Sequence, residues 1–311
     1  MTHLPHHLLQ SGAIRTSAAV TEALSDGRPV VALESTIFSS LGLPAPANAA
    51  ALGGCQEALR SGGVEPAVTA VLDGVARVGL EASEEERVLR ATTKVAERDL
   101  AVAIAQGLDA GVTTVAATVA LAHAAGIGVF ATGGIGGVHR GAESTLDISA
   151  DLDALAHHPV ITVCAGAKAF LDLPKTVEYL ETVGVPVLGW QHDWFPGFYV
   201  RSSGLPIPHR VETTREVVDV LRNRLRPETG VLLTVPIPEA DELNPGELQS
   251  HLESALATAA AEGVTGAAVT PFILSRIEQE TAGQSIPANV ALAINNACLA
   301  AEVATELAQR Q

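Results

Sequence analysis

Apolar and polar positions follow an alternating block pattern along the chain. Short runs rich in Val, Ile and Thr, bounded by Gly or Pro, alternate with Ala-rich segments whose apolar residues have helical spacing. This pattern is typical of βαβ units around a parallel sheet. The sequence therefore predicts an α/β fold with a mostly parallel central sheet, whose strands cover residues 29–35, 67–74, 92–95, 113–118, 128–132, 160–166, 185–190 and 230–235.

The helical segments show where each predicted helix begins and ends. Acidic residues occupy the first turn of the segment 83–90, and negative charge stabilises a helix N-terminus. The chain from about residue 243 onward is mostly of helical pattern. We find no linker rich in Pro, Gly or Ser, so we expect one domain over residues 1–311, with residues 1–12 as a mobile N-terminus. The other predicted helices are 98–111, 173–184 and 270–283.

Composition restricts the partners. The 311 residues carry a formal net charge of −16, which argues against a nucleic acid or an anionic membrane as the main partner. No stretch of 18 uninterrupted apolar residues predicts a membrane span, and the N-terminal residues do not resemble a signal peptide. The three cysteines lack metal-ligand spacing and are interpreted as core residues of a reducing compartment. We therefore expect a cytoplasmic protein.

Lysine is unusually rare. Of 19 Lys and Arg residues, only Lys94, Lys168 and Lys175 are lysines. Unlike a guanidinium group, an amine can lose its proton and attack a carbonyl carbon, so a lysine in this chain is a candidate nucleophile. Lys168 directly follows the apolar run "VITVCAGA", where a charged side chain is costly to bury. The alternative is that Lys168 begins a helix and extends along its own stem to solvent.

Polar residues lie where several predicted strands end. Glu34, Lys94 and Lys168 occupy three such ends, and the loop "GGIGGVHRG" (133–141) follows a fourth. In parallel sheets ligands bind at the carboxyl ends of the strands, so we expect these groups to converge. The loop has neither GxGxxG nor GK[ST] spacing, but its N–H groups, with His139 and Arg140, would suit a phosphate. The alternative is a simple flexible connection.

Two further segments allow two interpretations each. Asp147 and Asp151 share a face if their segment is helical, and carboxylates without Cys or His neighbours suit Mg²⁺ or Mn²⁺. Equally, Asp147 or Ser149 is the N-cap of a helix that runs to about residue 156. The aromatic segment 190–204 is either a lid or, more in keeping with its composition, an interface between subunits.

Several of these motifs together resemble one family. The segments "VALEST", "TTKVAERDL", "FATGGIGGVHRGAE", "VCAGAK", "PIPE" and "TPFIL", within residues 14–305, resemble the signatures of the pseudouridine-5′-phosphate glycosidases. The resemblance implies a homotrimeric, three-layer α/β/α enzyme with bound Mn²⁺ (or Mg²⁺). Such an enzyme reversibly cleaves the C–C glycosidic bond of pseudouridine 5′-phosphate to uracil and ribose 5-phosphate through a lysine Schiff base.

The resemblance also implies roles for single residues. Lys168 is similar to the nucleophile, Glu34 to the proton donor and Asp147 to the metal ligand. An imine on Lys168 would provide the electron sink that a carbon leaving group requires, and Glu34 would protonate the departing ring carbon. The resemblance implies substrate contacts by Lys94, Val115, Ser149, Ala150, Asp151 and Asn289. We add His139, from the glycine loop, as a further substrate-binding residue.

The chain also departs from the family pattern. Val235 stands before Pro236 where an asparagine is usual, and Ala267-Ala268 replaces a Lys-Glu pair. Three other hypotheses therefore stay open. The first is that the chain is another sugar-phosphate-processing member of the family, such as an indigoidine-cluster protein. The second is that it is a class I aldolase that uses Lys168. The third is that it is a non-catalytic sugar-phosphate sensor.

Overall fold

The apolar runs of the sequence form one sheet in the computed structural model, which describes residues 6–264 and 269–310. Each predicted strand overlaps an observed one, with ends that differ by a few residues. Within the described residues the sheet has eleven strands: β1 Ile14–Thr16, β2 Val30–Leu33, β3 Glu65–Leu72, β4 Val75–Val78, β5 Lys94–Val95, β6 Ala110–Thr113, β7 Val129–Ala131, β8 Ile161–Cys164, β9 Val187–Trp190, β10 His209–Val211 and β11 Val231–Thr234.

The sheet is mostly parallel, as predicted. Its main path runs β1-β4-β3-β2-β7-β8-β11-β9-β10, while β6 pairs with β3 and with β5. Among the strand pairs of residues 6–264 and 269–310, only β3–β4 and β3–β6 are antiparallel. Every residue of β2, β8 and β11 is buried, which requires cover on both faces.

Helices provide that cover. Those described by the structure are α1 His6–Gln10, α2 Ala18–Ser25, α3 Ala47–Ser61, α4 Ala82–Arg90, α5 Glu97–Ala105, α6 Val115–Ala125, α7 Ala142–Thr145, α8 Ala150–His157, α9 Leu173–Val183, α10 Thr214–Asn223, α11 Pro245–Ala261, α12 Val269–Glu280 and α13 Ser285–Ala308. One group consists of α13 with α3 and α10, and a second group consists of α6 with α5 and α8. Both groups contact β2 and β7, which gives the three-layer α/β/α arrangement.

Helix α13 is the long helix predicted for the C-terminal part of the chain. It is long and apolar enough to cross a membrane, with a mean hydropathy of 1.3 over its most apolar 18 residues, but 56% of that window is buried inside the protein. It packs against β2, β7 and β8. This helix therefore covers one face of the sheet beside the ends of the strands that carry the candidate site.

One predicted strand is wrong beyond its first residue. The run 113–118 was predicted as a strand from its Thr and Val content, but β6 ends at Thr113 and α6 begins at Val115. Thr114 is the reason, because its side chain accepts a hydrogen bond from the N–H of Ala117 and so caps the helix. Val115 therefore lies in the first turn of a helix instead of in a strand.

Other sequence expectations also differ from the structure. Residues 6–10 of the expected mobile N-terminus form α1, and Leu8 and Leu9 pack against the core because they are apolar. Cys55 and Cys164 are buried as expected, whereas Cys298 is exposed. The replacement Ala267-Ala268 lies outside the described residues.

Candidate active site

Glu34 follows β2 directly and is buried, with 5% of its surface exposed. Its carboxylate accepts a hydrogen bond from the hydroxyl of Thr132, which follows β7. Burial raises the pKa of Glu34 from 4.5 to about 7, against the opposing influences of Lys168, the Thr132 hydroxyl and Lys94. Glu34 is therefore a carboxyl group that can hold or release a proton near neutral pH.

Lys168 lies beyond β8, at the same edge of the sheet. Its N–H donates to the carbonyl of Ile135 (3.1 Å), and Ala167 pairs with Ile135 as an isolated parallel bridge. Ala167 and Ala169 are buried on either side, while Lys168 itself is partly exposed. The glycine loop thus holds the backbone of Lys168 in place while leaving its side chain accessible.

The predicted ionisable groups lie close enough to influence one another. The charge of Lys168 affects the pKa values of Glu34, Lys94 and His139. The pKa of Lys94 is lowered by burial and by the positive charge of Lys168. The structure therefore brings Glu34, Lys94 and Lys168 together, as the sequence predicted. Two amines thus lie near each other in a chain whose net charge is −16.

Asp151 joins three parts of the site. Its Oδ1 accepts the N–H of Ala116 in α6 (2.9 Å), and its Oδ2 accepts the N–H of Gly136 in the glycine loop (2.8 Å). Asp151 itself lies in the first turn of α8, which Ser149 caps. Because both carboxylate oxygens are engaged by backbone groups, Asp151 holds two helix N-termini and the loop together around Val115 and Ala150.

The glycine loop is more engaged than the phosphate nest that the sequence suggested. Within residues 135–139, four N–H groups already have protein acceptors: Ile135 to Gly166 O, Gly136 to Asp151 Oδ2, Val138 to Thr176 Oγ1 and His139 to Asp147 O. The glycines are needed for close packing instead. A Cβ on Gly136 would lie 2.2 Å from Ser149 Oγ, and one on Gly134 would lie 2.6 Å from the Phe198 ring.

The aromatic segment 190–204 forms part of the wall of the site. Phe195, Phe198 and Tyr199 are buried, and Phe198 packs edge-to-face on Tyr199 with ring centroids 4.7 Å apart. The N–H of Phe198 donates to the carbonyl of Ala165, three residues before Lys168. This segment is therefore packed against the glycine loop, and Trp194, 44% exposed, is its outward-facing ring.

Asp147 and His139 lie at the outer part of the site. Asp147 precedes α8 instead of belonging to it, so it does not share a helical face with Asp151 as the spacing suggested. His139 Nδ1 lies 3.8 Å from Asp147 Oδ2, and their side chains are 18% and 39% exposed. Burial lowers the pKa of His139, which leaves a neutral imidazole at pH 7. Both residues line a cavity of about 500 Å³.

Asn289 points toward the same strand ends from α13. It is 5% exposed, and its Oδ1 has no hydrogen-bond partner among the described residues. A Cβ added to Gly133 would lie 3.4 Å from this oxygen. A buried amide oxygen without a partner is costly, so it is a ready acceptor for a ligand N–H.

Sequence reasoning missed a group of buried polar residues behind the site. Thr113 accepts or donates hydrogen bonds with Ser35 (3.1 Å) and Thr69 (2.8 Å), and these bonds tie the end of β2 to β6. Thr132 and Asn296 were also missed. Their signal in the sequence was weak: a Thr ending the apolar strand "VFAT" and an Asn within the apolar face of α13.

A buried carboxyl group and a nearby lysine amine at the edge of a mostly parallel sheet are groups suited to the active site of an α/β enzyme. Comparison with known proteins agrees. The family model of the indigoidine synthase A like proteins matches residues 19–306. A pseudouridine-5′-phosphate glycosidase of Methylobacterium nodulans is 49% identical over 98% of this chain and 89% of its own length.

A second curated relative, the pseudouridine-5′-phosphate glycosidase of Myxococcus xanthus, is 48% identical over 95% of this chain and 99% of its own length. The chain belongs to the pseudouridine-5′-phosphate glycosidase family. Among solved structures, an indigoidine synthase A-like protein of Thermotoga maritima superposes with a TM-score of 0.86, at 32% identity and 99% coverage of both chains. The prealnumycin C-glycosynthase AlnA, solved in complex with ribulose 5-phosphate, superposes with a TM-score of 0.88, at 35% identity over 96% of this chain and 98% of its own.

Proposed function

We propose that this chain reversibly cleaves the C–C glycosidic bond of pseudouridine 5′-phosphate to give uracil and ribose 5-phosphate. The observation that carries the proposal is the pairing of Glu34, whose pKa is raised to about 7, with the nearby amine of Lys168. Family membership supports the same reaction. A leaving group that departs through carbon needs an electron pair donated from the sugar side and a proton for the departing carbon, and these two side chains can supply them.

In the first step, the neutral amine of Lys168 attacks C1′ of the ribose, the bond from C1′ to the ring oxygen breaks, and the surplus proton of the nitrogen passes to that oxygen as the sugar opens. The nitrogen lone pair then forms the C=N bond while the electrons of the C1′–C5 bond pass to the uracil ring. Protonated Glu34 delivers its proton to C5, which releases uracil. Water finally hydrolyses the protonated imine, which frees ribose 5-phosphate, restores the neutral amine and returns a proton to Glu34.

The burial of Glu34 supports its role as the acid. An exposed carboxyl group with its ordinary pKa of 4.5 would be almost fully ionised at pH 7 and would have no proton to give. With a pKa of about 7, a large fraction of the molecules carry the proton at neutral pH. The same group can take a proton from uracil in the synthetic direction.

Substrate binding is assigned to the groups around this pair. Lys94 balances the phosphate charge, and His139 contacts the sugar phosphate from the glycine loop. Val115, Ser149, Ala150 and Asp151 contribute the first turns of α6 and α8, which carry positive partial charge. The unpartnered Oδ1 of Asn289 accepts an N–H of the uracil ring, which removes the cost of leaving it unpaired.

A divalent cation, Mn²⁺ or Mg²⁺, is held at Asp147. Among the described residues no group of three or more His, Cys, Asp or Glu side chains is placed to hold a metal ion. The site fits a hard cation that keeps most of its waters and needs only one carboxylate. Such an ion would supply positive charge for the phosphate side of the substrate.

The protein assembles as a homotrimer and acts in the cytoplasm. The exposed ring of Trp194 supports a subunit contact on the outer side of segment 190–204, since aromatic residues are enriched in interfaces. The free thiols of Cys55, Cys164 and Cys298 suit a reducing compartment. Light scattering of the purified protein tests the subunit number.

The experiment that tests the function combines two measurements. Uracil released from pseudouridine 5′-phosphate is followed by its absorbance, and borohydride reduction with ribose 5-phosphate is followed by mass spectrometry. We expect uracil release and a covalent adduct on Lys168. Cleavage of the sugar chain without uracil release would indicate an aldolase, and sugar-phosphate binding without an adduct would indicate a sensor.

The synthetic direction has a specific observation in its favour. The solved relative AlnA is by its name a C-glycosynthase, and it was solved with a pentulose phosphate. The same imine and the same carboxyl group serve bond formation, because each step is reversible. Incubation with uracil and ribose 5-phosphate, followed by chromatography for pseudouridine 5′-phosphate, measures this direction.

A further inference from the structure

Thr132 is held by hydrogen bonds on every polar group that it has. Its N–H donates to the carbonyl of Val163 (3.0 Å), and its carbonyl accepts from Nδ2 of Asn296 (2.8 Å). The same Nδ2 contacts the carbonyl of Gly133 (3.3 Å). The third polar group, the hydroxyl, donates to Oε1 of Glu34.

Thr132 and Asn296 are both buried, at 4% and 0% exposure. Strand β7 ends at Ala131, and the carbonyl of Thr132 accepts its hydrogen bond from Asn296, whereas the carbonyl of Gly133 also accepts the N–H of Ala165 (2.9 Å). A β-branched side chain on a fixed backbone has few rotamers. The direction of the Thr132 hydroxyl is therefore set by the fold and not by Glu34.

We propose that Thr132 is a positioning residue for the general acid: its hydroxyl, fixed through Asn296, orients the Glu34 carboxyl group and limits how strongly that group holds its proton. This inference rests on the proposed function. It adds a residue that acts on the reaction through Glu34.

The charges around Glu34 determine the size of the effect. Besides Thr132 after β7, the groups that act on Glu34 are Lys168 after β8, Lys94 on β5 and Asp151 on α8. Burial and Asp151 favour the protonated form, whereas the hydroxyl and the two amines favour the ionised form. Burial outweighs the rest, so each remaining donor matters for whether the proton can leave.

The test compares two substitutions that differ only in the hydroxyl. Thr132→Val keeps the shape of the side chain and removes the donor, while Thr132→Ser keeps the donor. We expect Thr132→Val to raise the pKa of Glu34 by about one unit, a tenfold gain in proton affinity. We expect Thr132→Ser to change the pKa of Glu34 by no more than about a third of that shift.

A matched control exists on the neighbouring strand. Thr162, in β8, is also fully buried, but its Oγ1 has no hydrogen-bond partner among the described residues. Thr162→Val should leave both the pKa of Glu34 and the rate of uracil release unchanged. It therefore separates loss of one buried hydroxyl in general from loss of the hydroxyl that faces Glu34.

Two readouts distinguish this inference from the function on which it rests. The first is an infrared titration of the buried carboxyl band, identified as the band that Glu34→Gln removes; it needs no substrate. The second is the alkaline limb of the pH profile of kcat for uracil release, which should move to higher pH in Thr132→Val. Thermal denaturation confirms that each variant is folded.

The inference would be overturned if the infrared titration gave the same pKa for Glu34 in Thr132→Val and in the unmodified protein. It would also be overturned if Thr132→Val and Thr132→Ser shifted that pKa equally. If the unmodified protein released no uracil, the proposed function would fail, while the infrared titration would still decide how Thr132 acts on Glu34.

Discussion

The two carboxylates assigned to the chemistry, Glu34 and Asp147, lie in opposite environments. Glu34 is 5% exposed at the end of β2 and shares a hydrogen bond with a buried hydroxyl. The Asp147 side chain is 39% exposed and faces a half-buried imidazole at 3.8 Å. The inner residue has its pKa raised by burial to about 7, which suits proton transfer. The outer one keeps access to water, which suits a hydrated cation.

The lysines show the same contrast. Lys94, the exposed first residue of β5, lies near enough to Lys168 for partial desolvation and the neighbouring positive charge to lower its pKa. Lys175 is 48% exposed and lies 2.9 Å from Asp172 and 3.0 Å from Glu143, whose hydrogen bonds raise its pKa. One side-chain type is shifted in opposite directions within one protein. Position in the fold, and not residue type, decides which amine is suited to chemistry.

The largest effect is expected from removing the inner amine. Lys168→Ala should lower turnover by at least about 10⁴-fold, because the amine that forms the imine is lost. Uracil release and borohydride trapping measure this loss. Lys175→Ala is the matched control and should keep full activity, because its ion pairs are exposed. Normal turnover in Lys168→Ala would refute the mechanism.

Replacing Glu34 should separate proton transfer to the leaving group from formation of the imine. Glu34→Gln should reduce kcat by about 10²- to 10⁴-fold, yet still form the imine with ribose 5-phosphate, since that step needs only the amine. Single-turnover kinetics and mass spectrometry check the two parts. Loss of the adduct together with kcat would show that Glu34 is needed earlier, for the attack itself.

The same substitution predicts a pH-dependent gain in stability. The folded protein holds the Glu34 proton up to a pH of about 7, whereas an unfolded chain releases it near 4.5. Stability is therefore lost as the pH rises from 4.5 to 7, and the loss above pH 7 amounts to about 3 kcal/mol. Glu34→Gln avoids that loss. Urea unfolding at pH 4.5 and pH 8 measures the free energy of unfolding of both proteins. The variant should be more stable relative to the unmodified protein at pH 8 and not at pH 4.5.

A third substitution tests how tightly the inner part is packed. Gly136→Ala places a Cβ 2.2 Å from Ser149 Oγ and 2.8 Å from Asp151 Oδ2. We expect a loss of about 1–3 kcal/mol in the free energy of unfolding, from overpacking. Gly53→Ala in α3 meets no atom within 4 Å and should gain up to about 1 kcal/mol. Equal thermal stability of the two variants would contradict this account of the loop.

The smallest effect is expected at the outer part. Asp147→Asn should weaken Mn²⁺ binding by about tenfold or more, because one charged ligand is lost while the waters remain. Electron paramagnetic resonance of free Mn²⁺ measures the affinity without substrate. Asp153→Asn changes an exposed carboxylate of α8 and should bind as before. Equal affinities in both variants would place the cation elsewhere.

Much of the site was predictable because local pattern and strand order are linked. Residues that follow apolar strands lie at one edge of a parallel sheet, so Glu34 and Lys168 could be grouped before any coordinates. Lys94 was grouped with them and does lie near Lys168, although it is the first residue of β5, a strand that pairs with β6 and so runs antiparallel to β3. Short-range pattern failed where a single hydrogen bond decided the outcome. Thr114 ended a predicted strand by capping α6. Of the two interpretations of the segment around Asp147, the structure confirms the helix capped by Ser149, which leaves Asp147 in front of α8.

By itself, the sequence determined the α/β class, the family and the three strand-end groups, since each depends on periodicity or on contiguous motifs. Only the tertiary structure decided that the glycine loop is packed instead of open, that Asp151 is engaged by backbone groups, and that Thr132 and Asn296 stand behind Glu34. These facts depend on contacts between residues far apart in the chain. Proton affinity depends on such contacts too, because burial and neighbouring charge are properties of the folded state alone.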